Sequence, residues 1–270
     1  MTNPIWYQGR IREAAETPEA EAPLAGPGLI TTAQVRNGAC TFQPQHIERL
    51  HRDAALLGLA PVRSDEVRAL MAELAQAAFP ASRGVLRVLI STLSPNKTEL
   101  IGSVRPWIEE PLNWTARIAP LPHTGPGPFS GAKLADVPCW RAAREWGVRV
   151  GCDECLLLNH EGDLVEGTRT NIILVDDVGI LRYPDPLLGA VTGIGLSALR
   201  AAGALMQPAR LRKTDLYSAQ EIIAINAVRG PRPVTRLDDR PAGSGQPGPV
   251  AGQLHKMFER AIQEGFRSRK

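Results

Sequence analysis

The segment LPHTGPGPFSG, residues 121–131, constrains this chain more than any other stretch. Its prolines fix φ and remove backbone donors, while its glycines visit left-handed conformations. Neither a helix nor a paired strand is expected to run through it. A break of that kind near the middle of 270 residues predicts two domains, each with a core of its own. The expectation is a smaller α+β domain over 1–120, a linker over 121–131 and a larger domain over 132–270.

Local patterns fill in the two halves. Residues 5–11 read as a short strand and 14–27, rich in Ala, Pro and Glu, as a loop. Strands 29–36 and 39–42 flank Asn37-Gly38, the strongest short-range hairpin signal in the chain. Ile47, Leu50, Ala54 and Leu57 recur at helical spacing and predict a helix over 44–59. Ser64 is expected to cap a second helix running to Phe79, with Asp65 and Glu66 in its first turn. Residues 85–92 alternate as a strand, and two weaker strands follow before Arg117. After the break come a helix near 138–147 and strands at 155–159, 164–166, 171–176 and 180–182. A helix over 195–202, a strand over 221–226 and an amphipathic helix near 252–266 complete the pattern. Residues 267–270 read as a frayed, basic helix end.

Composition removes several classes of function. Apolar residues make 43% and charged residues 22%, ordinary globular usage that excludes a disordered, collagen-like or fibrous chain. Lys plus Arg is 31 against Asp plus Glu 28, and a net charge of +3 predicts no nucleic-acid or membrane partner. There is no apolar run of about 18 residues, and the first residues, MTNPIWYQGRIREAAE, are polar where a signal peptide is apolar. A cytoplasmic protein is expected. Four cysteines are too few for a disulfide scaffold. Cys152-Asp-Glu-Cys155 has CxxC spacing, yet no second Cys/His pair accompanies it and an apolar Leu156-Leu157-Leu158 run follows. These read as core or rim cysteines, with no metal. Only five of the 31 basic residues are lysines (Lys97, Lys133, Lys213, Lys256 and Lys270), so chemistry that needs an amine has few candidates.

Three segments carry chemistry when weighed together. Ser130-Gly-Ala-Lys133 places a lysine just past a Gly/Pro loop and ahead of a helix. The stretch from Asp163 through Glu166 to Asn171 places a carboxylate between two strands of an expected hairpin. Thr192-Gly193-Ile194-Gly195 is a Gly-rich turn that opens a helix. An amine that can form an imine, a carboxylate that keeps a pyridine nitrogen protonated and helix amides that receive a phosphate are what a pyridoxal phosphate site requires.

The order and spacing of these segments resemble the class IV aminotransferase family of pyridoxal phosphate enzymes over roughly residues 28–240. The stretch Gly131-Ala-Lys133, then Asp153-Glu154-Cys-Leu-Leu-Leu158, then Glu166-Gly-Thr-Arg-Thr-Asn171 is similar to the family's core signature, with lysine and glutamate 33 residues apart. His46-Ile47-Glu48-Arg49-Leu50 is similar to the helix that carries its phosphate arginine. The resemblance implies a two-domain α+β or α/β architecture of fold type IV, D-amino acid aminotransferase-like, with pyridoxal 5'-phosphate in the interdomain cleft. It implies Lys133 as the catalytic, cofactor-bearing amine, Glu166 at the pyridine nitrogen and Arg49 at the phosphate. The amides of Ile194 and Gly195 are also assigned to the phosphate, and Ala227 to the cofactor contacts.

Two further stretches resemble the branch of the family whose members are 4-amino-4-deoxychorismate lyases: Leu29-Ile-Thr-Thr-Ala-Gln-Val-Arg-Asn-Gly38, and Ile225-Asn226-Ala227-Val-Arg-Gly-Pro-Arg-Pro-Val234. Transaminases more often place hydroxyl residues in the second. Three departures stand out. The family's GITR reads Gly193-Ile194-Gly195-Leu196, Pro138 replaces a tyrosine that contacts the cofactor in many relatives, and 13–27 lacks the usual D-R-G stretch. The expected activity is release of pyruvate to give 4-aminobenzoate for folate synthesis. The alternatives are an aminotransferase acting on branched-chain or D-amino acids and a cofactor-binding relative without turnover. Arg105 is the expected partner of substrate carboxylates, and the loops around Lys97 and over 122–127 are expected to read the substrate. A small-molecule substrate and a homodimer complete the expectation.

Overall fold

The computed structural model describes residues 4–7, 9–13, 28–94 and 97–267. The expected 14–27 loop, Pro95 and Asn96 ahead of Lys97, and tail residues 268–270 lie outside the described residues. By packing, the chain falls into two compact units. One runs to Glu109 and also holds Ala132–Asp136; the other comprises Glu110–Gly131 and Val137–Lys270. Residues 110–131 therefore pack with the second unit, and the segment carrying Lys133 packs with the first. Proline and glycine interrupt secondary structure in 121–131 without detaching it, since the His123 amide donates to the Leu158 carbonyl at 2.7 Å.

The first unit is an antiparallel sheet backed by two helices. Its strands are β1 (Pro4–Tyr7), β2 (Arg10–Glu13), β3 (Leu29–Arg36), β4 (Ala39–Cys40), β5 (Arg83–Ser94) and β6 (Lys97–Pro106), in the order β2-β1-β6-β5-β3-β4. The single strand expected over 5–11 is instead the hairpin of β1 and β2, turned at Gly9 with φ 80°. Asn37 and Gly38 take positive φ, 48° and 76°, and pair Val35 with Cys40 as the turn chemistry predicts. Helices α1 (Gln43–Leu56) and α2 (Ser64–Ala78) cover one face. Leu86, Val88 and Ile90, two residues apart on β5, pack with Leu50, Leu70 and Leu74 in one buried cluster. Ser64 does not cap α2. Arg63 occupies that place without a side-chain bond, and the Ser64 hydroxyl lies 3.4 Å from His51 Nε2.

The second unit is a nine-stranded mixed sheet. Its strands are β7 (Trp114–Ile118), β8 (Glu154–Leu158), β9 (Leu164–Gly167), β10 (Asn171–Val175), β11 (Leu181–Pro184), β12 (Gln207–Ala209), β13 (Glu221–Asn226), β14 (Gly230–Leu237) and β15 (Arg240–Pro241). The order is β12-β11-β10-β13-β14-β7-β8-β9, with β15 paired to β14. Glu166 does not lie between two strands of one hairpin. It sits within β9, opposite Leu157 of β8, while β10 pairs with β11 and β13. Helices α3 (Pro138–Val150), α4 (Ile194–Ala201), α5 (Lys213–Ser218) and α6 (Pro249–Arg267) complete the unit. On α6, Ala251, Leu254, Phe258 and Ile262 form the buried stripe, and Gly230 makes room for the Phe258 ring. Cys152 is half-buried and Cys155 buried, their sulfurs 3.6 Å apart beside Gly147 of α3. Among the described residues no group of three or more His, Cys, Asp or Glu is placed to hold a metal ion, and no helix is long and apolar enough to cross a membrane.

Candidate functional site

In the first unit the chain around Lys133 runs as an added strand against β3. The Ile30 amide donates to the Lys133 carbonyl at 3.0 Å, Leu29 bridges Leu134, and the Ala135 amide donates to the Gly28 carbonyl at 2.7 Å. The Lys133 amide donates to Asp53 Oδ2 at 2.9 Å, which ties the segment to α1. Asp53 is 1% exposed, and its other oxygen accepts from Arg52 Nη2 at 2.6 Å. One helical turn earlier stands Arg49, 5% exposed and not on the helix surface. Its Nη2 donates to Thr31 Oγ1, and Thr31 lies 2.5 Å from His46 Nδ1. Its Nε is buried with no hydrogen-bond partner. Burial, opposed by Asp53 and reinforced by Arg52, brings the Arg49 pKa down to about 10. Arg49, Asp53, Thr31 and His46 thus form a buried polar cluster on the two elements that hold Lys133.

In the second unit the loop over 191–193 is the meeting point. The Val191 amide donates to Glu166 Oε2 at 3.0 Å, and the Val191 carbonyl accepts from Asn171 Nδ2 at 3.0 Å. The Thr192 amide donates to the Gly131 carbonyl at 3.0 Å, two residues ahead of Lys133 in the chain. A Cβ at Gly193 would collide with Asn171 Oδ1, so a side chain there would have to displace the Asn171 amide from its place beside the loop. Three sequence segments noted for their chemistry therefore share one loop, through Gly131, through Glu166 with Asn171, and through Thr192.

Glu166 is 3% exposed, and its Oε1 has no hydrogen-bond partner. His123 Nε2 lies 3.6 Å from that oxygen. The turn after Glu166 is pinned by Glu154, the carboxylate of the Asp-Glu-x-Leu-Leu-Leu stretch. Glu154 Oε1 accepts from the Thr168 amide and hydroxyl at 3.0 and 2.6 Å, and Oε2 accepts from the Thr170 hydroxyl at 2.8 Å.

Helix α4 begins at Ile194 with Gly193 as its cap residue, and its first amides have no partner within the helix. A Cβ at Gly195 would stand 2.8 Å from the carbonyl carbon of Asn226 and 3.0 Å from its oxygen. The departure from the family's threonine is thus matched by the backbone of the β13–β14 turn filling the space. That turn holds Ala227, 7% exposed, and is fixed by Asn226 Oδ1, which accepts from the Val228 and Arg229 amides at 3.0 and 2.8 Å. Pro138 begins α3 and supplies no hydroxyl. Arg105 stands exposed on β6 opposite Val85.

Sequence reasoning missed Asp53, His123, Asn171 and Glu154 as supports. Asp53 follows Arg49 at helical i, i+4 spacing, the one local signal for it. The partners of His123 and Asn171 are distant in the chain and leave no local trace.

A model of the amino-transferase class IV family matches residues 28–237. The branched-chain-amino-acid aminotransferase of Pseudomonas aeruginosa is 29% identical over 111 residues, 40% of this chain and 36% of that protein. The chain therefore aligns with little more than a third of that relative's length. The D-alanine aminotransferase of Bacillus licheniformis is 21% identical over 280 residues, covering 96% of each chain. The solved structure of the branched-chain amino acid aminotransferase of Escherichia coli is similar with a TM-score of 0.83 at 20% identity, covering 97% of this chain and 95% of that one. That likeness carries the fold.

Proposed function

The chain belongs to the amino-transferase class IV family, and from that premise we propose that it is a lyase that releases pyruvate from 4-amino-4-deoxychorismate to give 4-aminobenzoate. The fold is fold type IV, and members of the family use pyridoxal 5'-phosphate. The residues present fit that cofactor. Glu166 Oε1 is a buried acceptor without a hydrogen-bond partner, Arg49 Nε is a buried donor without one, and α4 opens with amides that have no partner within the helix. The observation that carries the reading is the loop over 191–193, which joins Glu166, Asn171, the start of α4 and the chain entering Lys133.

Bound pyridoxal phosphate supplies an electron sink for charge left on the carbon beside the substrate's amine. Lys133 would hold the cofactor through Nζ and, once free, would be the amine able to take the proton from that carbon. Glu166, with Oε1 buried and unsatisfied, would be the acceptor for the protonated ring nitrogen and would so preserve the sink. By the family resemblance Arg49 would counter the phosphate charge, and the amides of Ile194 and Gly195, with the turn at Ala227, would receive the cofactor. What supports elimination over amine exchange is that Asn226-Ala227-Val228 presents no hydroxyl where transaminases more often have one. The names of the relatives favour the second reading, an aminotransferase for branched-chain or D-amino acids. The family resemblance implies a homodimer, which sedimentation of the purified protein measures.

Purified protein is expected to show a visible absorption band that borohydride removes and that Lys133→Ala lacks. A colourless protein that takes up no pyridoxal phosphate overturns the reading. With 4-amino-4-deoxychorismate, 4-aminobenzoate and pyruvate are expected in equal amounts. Rapid amine exchange between an amino donor and a keto acid overturns the lyase in favour of the aminotransferase. Cofactor uptake with neither activity leaves the binding relative without turnover.

A further inference from the structure

The His123 ring sits between two groups that fix what each nitrogen does. The Gly125 amide lies 3.0 Å from Nδ1 and can only donate, so Nδ1 must accept. The proton of the neutral ring then belongs to Nε2, the nitrogen 3.6 Å from Glu166 Oε1. Ring and carboxylate are both almost wholly buried, at 4% and 3% exposure, so they face each other away from bulk water. The backbone of His123 is itself anchored by its amide on the Leu158 carbonyl.

We propose that His123 is a positioning residue for Glu166: with Nδ1 occupied by the Gly125 amide, its Nε2–H faces Oε1 from 3.6 Å, outside hydrogen-bond range, and orients that oxygen as an acceptor while leaving it open to a further donor. With Oε2 bonded to the fixed Val191 amide and Oε1 faced by a ring N–H, both oxygens are set to accept. Any ring nitrogen presented to it must bring its own proton. His123 acts through Glu166 and touches neither substrate nor cofactor in this proposal, which rests on the reading of Glu166 as the partner of the pyridine nitrogen.

The two ring nitrogens can be replaced separately. In His123→Asn the shorter amide keeps an acceptor for Gly125 and loses the donor toward Glu166. In His123→Gln the longer amide keeps the donor and loses the acceptor. Each apo-protein is titrated with pyridoxal phosphate and with an analogue whose ring nitrogen is replaced by carbon. His123→Asn is expected to bind pyridoxal phosphate about tenfold or more weakly, the scale of a hydrogen bond to a charged group. His123→Gln is expected within about threefold of wild type. The analogue is expected to bind wild type and His123→Asn alike, since a loss of that size needs the ring N–H and the analogue has none. Unchanged affinity in His123→Asn overturns the proposal, as does an equal loss for both ligands, which marks a merely structural residue. Wild type that takes up neither ligand overturns the reading of Glu166 and the proposal with it. The ¹⁵N shifts of the wild-type ring test the tautomer without any variant: a proton on Nδ1 overturns the proposal, and one on Nε2 alone supports it.

Discussion

At Arg49 a positive charge sits at 5% exposure with Nε unpartnered, and burial, opposed by Asp53, brings its pKa down to about 10. The sign of the linkage follows. The folded chain holds this proton less tightly than the unfolded chain, so charging Arg49 costs stability below about pH 10 and the cost fades above it. An anion beside the guanidinium removes the same cost at neutral pH. Inorganic phosphate is therefore expected to raise the melting temperature of the apo-protein and to leave Arg49→Met unmoved, as a thermal melt at constant ionic strength would read. Equal shifts in both proteins would remove Arg49 from the phosphate. The residue itself was legible from the His-Ile-Glu-Arg-Leu pattern, and so were Lys133 and Glu166 from their spacing. Its burial was not, because that depends on Thr31 arriving from β3 to take its Nη2.

Among the elements, α4 and the β13–β14 turn fit with no room to spare. Gly195→Ala pushes a methyl against the Asn226 carbonyl and is expected to lower stability by about 1–3 kcal/mol. Gly252→Ala, on the open face of α6, is the control and is expected to raise stability by up to about 1 kcal/mol. Urea unfolding measures both, and equal effects would show that the turn yields. Elements governed by local chemistry could be read in advance. Asn37-Gly38 takes the two positive φ angles that its hairpin needs whatever surrounds it. The short β12, β15 and α5 went unread, since two to six residues carry too little periodicity to stand out. The expected pairing of 164–166 with 171–176 failed for another reason. Adjacency in sequence predicts a hairpin, whereas Glu154 gathers Thr168 and Thr170 into a turn that sends β9 to β8 and β10 to β13.

For the whole molecule, the division into units is not the division of the sequence. The Pro/Gly stretch marks where strands and helices stop, and packing ignores it. The first unit needs Ala132–Asp136, which closes the backbone of Gly28 and Ile30. A fragment ending at residue 120 is expected to exchange the Ile30 amide at least tenfold faster than the full chain, since an unbonded amide near the surface loses its protection. Hydrogen exchange reads this, and equal protection would show that the segment is dispensable. The close fit of Gly195 against Asn226 also bears on substitution. A threonine at 195 would bring its Cβ to 2.8 Å from the Asn226 carbonyl carbon, so a hydroxyl can be introduced there only if the β13–β14 turn shifts with it.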